Sequence, residues 1–392
     1  MTVSLLPDAA APAAPKVQTE AAAEAPPLAY KSMTPGDPFP WLSQACGDKS
    51  EFALDTFAGR YQLYCFFGSA ENEQSRAVLR AVKARDAMFD DEHCSLFGVS
   101  VSPRDRDVLG LTNRVPGVRF VWDFDGSIAK ACGVAPLGEG RAEGTSYWRK
   151  WVLVDPSLHV LRVFPFNAET TDEVLDFVAA LPPPGRFGGP LPVPPPILLL
   201  PNVFEPELCQ ALIAQYEAQG GQESGVHRGG KGVLDSGFKR RKDYALTDPA
   251  MIAETNRRIA RRVAPEIQKI FYMNCSFIER HIVGCYSAED GGHFGPHRDN
   301  RQGLTSHRRF AVSINLTDDF EGGEVVFPEY NTLGYKARAG WAVVFPCAAL
   351  HQVNYVRRGT RYAFLPFVYD QSGRDLRDQE LARQQAAAAA LA

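Results

Sequence analysis

At 392 residues the chain exceeds one ordinary domain and suits two cores of about 150–200 residues. An apolar fraction of 45% with 22% charged residues excludes disordered and fibrous classes, and a formal charge of −4 supplies no basic face for nucleic acid. No apolar run reaches the roughly 18 residues of a membrane span, so no membrane partner is expected.

The opening residues lack the basic stretch and apolar core of a signal peptide. The eight cysteines are scattered and none lies in a CxxC pair, which favours a reducing compartment, by default the cytoplasm.

Residues 1–28, rich in Ala, Pro and Glu without periodicity, read as a disordered arm. From 29 to 181, strand-like and helix-like segments alternate. Expected strands are Tyr61–Phe67, Ser95–Val101 and Arg119–Trp122, followed by a hairpin of Lys150–Asp155 and His159–Phe164. Expected helices are Asn72–Phe89, with Val78, Leu79, Val82 and Met88 on one face, then Ser127–Cys132 and Thr171–Leu181. This order predicts an α/β sandwich with helices on both faces of a mixed sheet.

Between Pro182 and Pro196, eight of fifteen residues are proline, which predicts a semi-rigid spacer without helix or sheet and places the domain boundary at 182–196. Beyond it, Glu205–Ala218 is an amphipathic helix opened by Pro206, and Asp248–Phe271 a longer helical stretch breaking near Pro265. From Ser276 to Tyr369, strands alternate with turns at Gly291-Gly292, Gly322-Gly323, Gly334 and Gly359. Helices followed by a run of strands predict an α+β domain over 197–372 whose core is a double sheet or jelly roll. Residues 373–392 are expected to be an Ala-rich tail, the Ala run after Arg383 being a frayed helix or disordered.

In Gly295-Pro296-His297-Arg298-Asp299-Asn300, His297 and Asp299 lie two apart, so on extended chain both face one side while Arg298 points away. His351 supplies a third donor, and two imidazoles with one carboxylate make the facial triad of non-haem iron(II) oxygenases. Ten residues on, Arg361 offers a planar fork for a carboxylate, and the turn at Gly359 is expected to set His351 and Arg361 on neighbouring strands. His293 and His307 read as surface residues or as flanking the site. Lys239-Arg240-Arg241-Lys242 reads as a solvated loop.

The run 285–300 (CYSAEDGGHFGPHRDN), the run 311–328 (AVSINLTDDFEGGEVVFP), Gly340–Phe345, His351-Gln-Val and Gly359–Phe364 together resemble the prolyl 4-hydroxylase family. The resemblance implies a double-stranded β-helix, iron(II) held by His297, Asp299 and His351, and 2-oxoglutarate gripped by Arg361 with help from Tyr286. It also implies ascorbate as an accompanying reductant, and molecular oxygen consumed as an unactivated C–H is hydroxylated and 2-oxoglutarate becomes succinate. The substrate would be a prolyl or other side chain of a protein or peptide. The same chemistry on a small molecule such as a free amino acid is the rival reading. In the family, the region of Lys239–Lys242 is a lid over the substrate.

In the first half, residues 120–133 (FVWDFDGSIAKACG) and Arg149–Asp155 resemble a peroxiredoxin of the thioredoxin-like fold. Arg149 falls where that family keeps an arginine near its reactive thiolate. The turn after the Tyr61–Phe67 strand, Gly68–Arg76, carries no cysteine, and Cys65 and Cys94 sit inside apolar strands where burial blunts a thiol. A docking or regulatory module is therefore expected rather than a thiol peroxidase. A wholly non-catalytic interaction protein is the remaining alternative.

Overall fold

The computed structural model describes residues 29–107, 109–137, 147–189, 191–228, 231–301 and 303–391. The arm expected at 1–28 lies outside them.

The first half is a seven-stranded sheet of β1 (Ser43–Cys46), β2 (Lys49–Ala53), β3 (Tyr61–Gly68), β4 (Cys94–Ser100), β5 (Val118–Trp122), β6 (Lys150–Val154) and β7 (Val160–Pro165), in the order β2-β1-β5-β4-β3-β6-β7. Strands β3, β4 and β5 run parallel, and β6 and β7 add antiparallel at the β3 side. That is the thioredoxin-like arrangement. Strand β3 is buried along its whole length because both its faces are covered, which is why it reads as one continuous apolar run.

On one face, Val78 and Val82 of the helix Glu73–Ala84 pack with Val174, Leu175 and Val178 of the helix Ala168–Ala179. Both helices are opened by an Asn whose side chain accepts a backbone N–H, from Ser75 over 3.2 Å and from Thr170 over 2.7 Å. On the other face, Tyr64, Phe97, Ile128 and Val152 form a second core, which also takes in Leu350 from far along the chain. The β1–β2 hairpin was not expected. The proline-rich stretch is less featureless than its composition implies: Pro184–Arg186 forms a 3-10 turn, and Phe187 packs edge-on to Tyr61 at 5.8 Å.

In the second half, a nine-stranded sheet faces a five-stranded one, as a double-stranded β-helix requires. The larger sheet includes Ile282–Ser287, Phe310–Asn315, Ala342–Pro346 and Thr360–Phe364; the smaller includes His293–His297, Val325–Val326 and His351–Val353. Alternation along Phe310–Asn315 sends Phe310, Val312 and Ile314 into a core roofed by the helices Pro206–Gln219, Pro249–Arg262 and Ala264–Phe271. The break between the last two helices falls at Val263. Ala311, Val343, Phe345 and Phe367 face the other way, against Val325 of the smaller sheet and Phe327 just beyond its strand.

One expectation needs correction here. Gly334 does not make a turn but begins the short strand Gly334–Tyr335. The C-terminal tail is the helix Gln371–Leu391, and its start is pinned by Asp370, which accepts from Gly373 N–H over 2.9 Å and from Arg309 over 3.1 Å. Among the described residues no helix is long and apolar enough to cross a membrane.

Candidate metal and oxo-acid site

His297 closes the strand His293–His297 and is the register partner of His351, which opens the strand His351–Val353. The two ring centroids are 4.2 Å apart. Asp299 follows just past the strand end, its backbone N–H donating to Cys347 O over 2.9 Å. Its carboxylate oxygens lie 3.6 Å from His297 Nε2 and 3.4 Å from His351 Nε2, and ligand atoms from all three side chains fall within 4.8 Å of one another. Neighbouring donors about 2.1 Å from one ion stand about 3 Å apart, so little movement separates this cluster from a coordinated one.

The tautomers are set locally. Nδ1 of His297 lies 2.8 Å from Gly295 O, and Nδ1 of His351 lies 3.1 Å from Ala349 O. Each Nδ1–H therefore donates to a carbonyl, leaving Nε2 with its lone pair toward the cluster. Burial opposes the charge on Asp299, but His351 and His297 outweigh it and hold the carboxyl well below the usual carboxylate range. Burial, with His297 beside it, brings His351 down to about 4. Phe294 stacks on His297 at 3.6 Å and Phe345 tilts against His351 at 4.5 Å, which gives the cluster an apolar wall.

Arg361 is not on a strand neighbouring His351, as its spacing suggested. It lies on Thr360–Phe364 of the larger sheet, whereas His351 belongs to the smaller one, so the two stand on different sheets rather than on neighbouring strands of one. Its Nε donates to Asn315 Oδ1 over 2.9 Å and its Nη2 to Ser313 Oγ over 2.8 Å. Both partners come from the inward face of Phe310–Asn315. Arg361 Nη1 is buried and has no partner. A guanidinium fixed at two nitrogens with its third free is fitted to take a carboxylate. Burial pulls its pKa down, and Tyr286 partly restores it.

Tyr286 is the register partner of Arg361 and is 1% exposed. Its hydroxyl accepts from Arg241 Nη1 over 3.1 Å, and the ring stands between the Arg241 and Arg361 guanidinium carbons at 5.6 and 5.2 Å. Arg241 also pairs with Asp243 at 2.6 Å. Burial opposes the charge of Arg241, but Tyr286 and Asp243 overcome it. Gly284 makes room for this arginine: a Cβ there would meet Arg241 Cδ at 3.0 Å and Leu365 Cδ1 at 2.9 Å.

The solvated loop expected at Lys239–Lys242 is thus a correction. Lys239 and Arg241 are buried at 7% and 5% exposure. Lys239 Nζ donates to Ser224 Oγ over 2.6 Å and to Gly225 O over 3.0 Å. A cavity of about 300 Å³ opens beside Lys239 and Arg241, lined also by Ser224, Cys285 and Ser287; none of the three cluster residues lines it. His293 and His307 are not surface residues either. His293 lies against Tyr355 and bonds Gly291 O, while His307 pairs with Glu279 at 2.9 Å. Neither joins the cluster.

In the first half, Arg149 donates to Asn72 Oδ1 over 2.8 Å and to Ser75 Oγ over 3.3 Å, with no thiol between them. Burial raises the thiols of both Cys65 and Cys94 far above their ordinary value.

Residues 282–369 match the model of the 2OG-Fe(II) oxygenase superfamily. A PKHD-type hydroxylase of Pseudomonas putida strain W619 is 38% identical over 91 residues, 21% of this chain and 39% of that protein. The chain thus spans about two fifths of the first curated relatives it matches. A PKHD-type hydroxylase of Stutzerimonas stutzeri is 28% identical over 184 residues, 43% of this chain and 75% of that one. A crystal structure of Xylella fastidiosa PrxQ covers 38% of this chain and 98% of its own, at 15% identity and a TM-score of 0.32. The chain therefore carries, over residues 282–369, a 2OG-Fe(II) oxygenase superfamily domain.

Proposed function

We propose that the chain is an iron(II)- and 2-oxoglutarate-dependent dioxygenase that hydroxylates a prolyl or other side chain of a protein or peptide. The observation carrying this reading is the His297, Asp299 and His351 cluster together with the buried, partnerless Nη1 of Arg361. We also propose the boundaries 29–181 for the thioredoxin-like domain, 182–196 for the linker and 197–372 for the oxygenase domain.

Two neutral imidazoles and a carboxylate suit a ferrous ion and leave part of its sphere open. Iron with 2-oxoglutarate and oxygen would supply the oxidising power that an unactivated C–H demands. Everything else is the chain's work. His297 and His351 present Nε2 because their Nδ1 protons are committed to carbonyls. Asn315 and Ser313 hold the plane of Arg361 so that Nη1 meets a distal carboxylate without reorganisation. Arg241 and Tyr286 complete a positively charged end to the pocket, and Phe294 and Phe345 exclude water around the metal ligands. Lys239 and Arg241 connect this pocket to the cavity they line, where a substrate segment would lie. A peptide rather than a free amino acid is favoured by the resemblance to prolyl 4-hydroxylases.

The test is succinate formation from 2-oxoglutarate with iron(II) and ascorbate, run against panels of peptides and free amino acids. Peptide-stimulated turnover is expected, and His297→Ala is expected to abolish it. Full activity of His297→Ala in metal-controlled buffer would refute the site. Stimulation by amino acids alone would move the substrate to the small-molecule class.

A further inference from the structure

Arg298 stands between two proposed metal ligands and points away from them, into the thioredoxin-like half. Its side chain is 1% exposed, as is that of Asp55, and Nε donates to Asp55 Oδ2 over 2.8 Å. The same Asp55 pairs through its other oxygen with Arg301 Nη2 at 2.6 Å. Trp41 lies against the Arg298 guanidinium at 3.9 Å, and Arg301 also bonds Ser43 Oγ over 3.1 Å. The segment carrying His297 and Asp299 is therefore gripped from the first half at four points.

The other ligand segment is held in the same way. Leu350, next to His351, is wholly buried in the core formed by Tyr64, Phe97 and Val152. Glu329 joins the two segments: its carboxylate takes both Arg298 Nη atoms, at 2.7 and 3.0 Å, and the Leu350 N–H at 3.0 Å. Arg298 Nη1 additionally donates to Ala348 O. Beside this network the halves touch backbone to backbone, with Gly59 at φ +88 so close that a Cβ would meet Pro328 at 3.2 Å.

We propose that the thioredoxin-like half, having no reactive thiol, serves as the clamp that fixes the metal ligands, with Asp55 as its principal positioning residue acting through Arg298 and Arg301. Removing that carboxylate frees the residues flanking His297, Asp299 and His351, so the three donors lose their preorganised separation. The cost appears as weaker metal binding, because partners one step behind the ligands typically carry 10- to 100-fold in affinity. The inference rests on the cluster being a metal site.

Cobalt(II) binding to the whole chain, followed by its ligand-field absorption without 2-oxoglutarate or substrate, reads this directly. Asp55→Asn is expected to weaken cobalt binding by about tenfold or more, and Asp55→Glu to recover to within about threefold of wild type. Val78→Ala, which opens the opposite core of the same half, controls for general loosening and is expected to stay within about twofold. Asp55→Asn binding as wild type does, or Val78→Ala weakening binding equally, would overturn the clamp. If Asp55→Asn fails to fold, Arg301→Gln is judged by the same two criteria. A wild-type chain that takes up no cobalt sinks the metal reading itself, and this inference with it.

Discussion

Replacing Arg361 separates charge from geometry at the oxo-acid end of the site. Of its three guanidinium nitrogens, Nε and Nη2 are committed to Asn315 and Ser313, and only Nη1 remains for a ligand. One charge-assisted hydrogen bond contributes about 1.5–3 kcal/mol, which is roughly 10- to 150-fold in affinity. Arg361→Met removes both charge and donor, and the 2-oxoglutarate requirement is expected to rise about 100-fold. Arg361→Lys keeps the charge without the planar fork, and a rise of about tenfold is expected. Metal binding should hold in both, since Arg361 touches none of the three ligands. Folding stability of the Met variant is expected to stay within about 2 kcal/mol, because the lost bonds are offset by no longer burying a charge with an unused donor. Titrating 2-oxoglutarate into the manganese-loaded chain, alongside urea unfolding, checks both halves. An unchanged 2-oxoglutarate requirement in Arg361→Met, with metal binding intact, would refute the assignment.

Burial, helped by the nearby Arg241, lowers Lys239 from its usual value to about 6. Between about pH 6 and pH 10 the unfolded chain therefore holds a proton that the folded chain has released, so this lysine's contribution makes stability rise with pH. Relative to Lys239→Met, wild type should gain up to about 1.4 kcal/mol per pH unit inside that window, and urea unfolding at three pH values checks the slope. Leu212, wholly buried beneath the larger sheet, should cost about 2–5 kcal/mol when cut to Ala. A loss under 1 kcal/mol by the same measurement would show that its helix packs less tightly than described.

The legible parts of the fold were those with local signals. Strand β3 announced itself as an unbroken apolar run, and the two-residue spacing of His297 and Asp299 needed only extended backbone. Strand β1 reads Ser-Gln-Ala-Cys and the edge strand β2 begins Lys-Ser-Glu, and short, largely polar strands carry no such pattern. The placing of His351 and Arg361 on different sheets was illegible because sheet membership depends on long-range pairing, not on the turn at Gly359. Arg241 was hidden by composition, since four consecutive cations look solvated. Its signal was there all the same: Lys239 and Arg241 are two apart, and in extended chain that places both on one face. Asn315 and Ser313 could have been found by the same alternation once Ile314 was assigned to the core.

Leu350 belongs to one half by chain position and to the other by packing, and this bears on how the molecule melts. The proline-rich stretch looks like a seam where the two halves could part and denature one after the other. Parting them would uncover a leucine on one side and an unneutralised aspartate on the other. Calorimetry is accordingly expected to record one cooperative endotherm for the whole chain, and cleavage within 182–196 should leave the pieces associated.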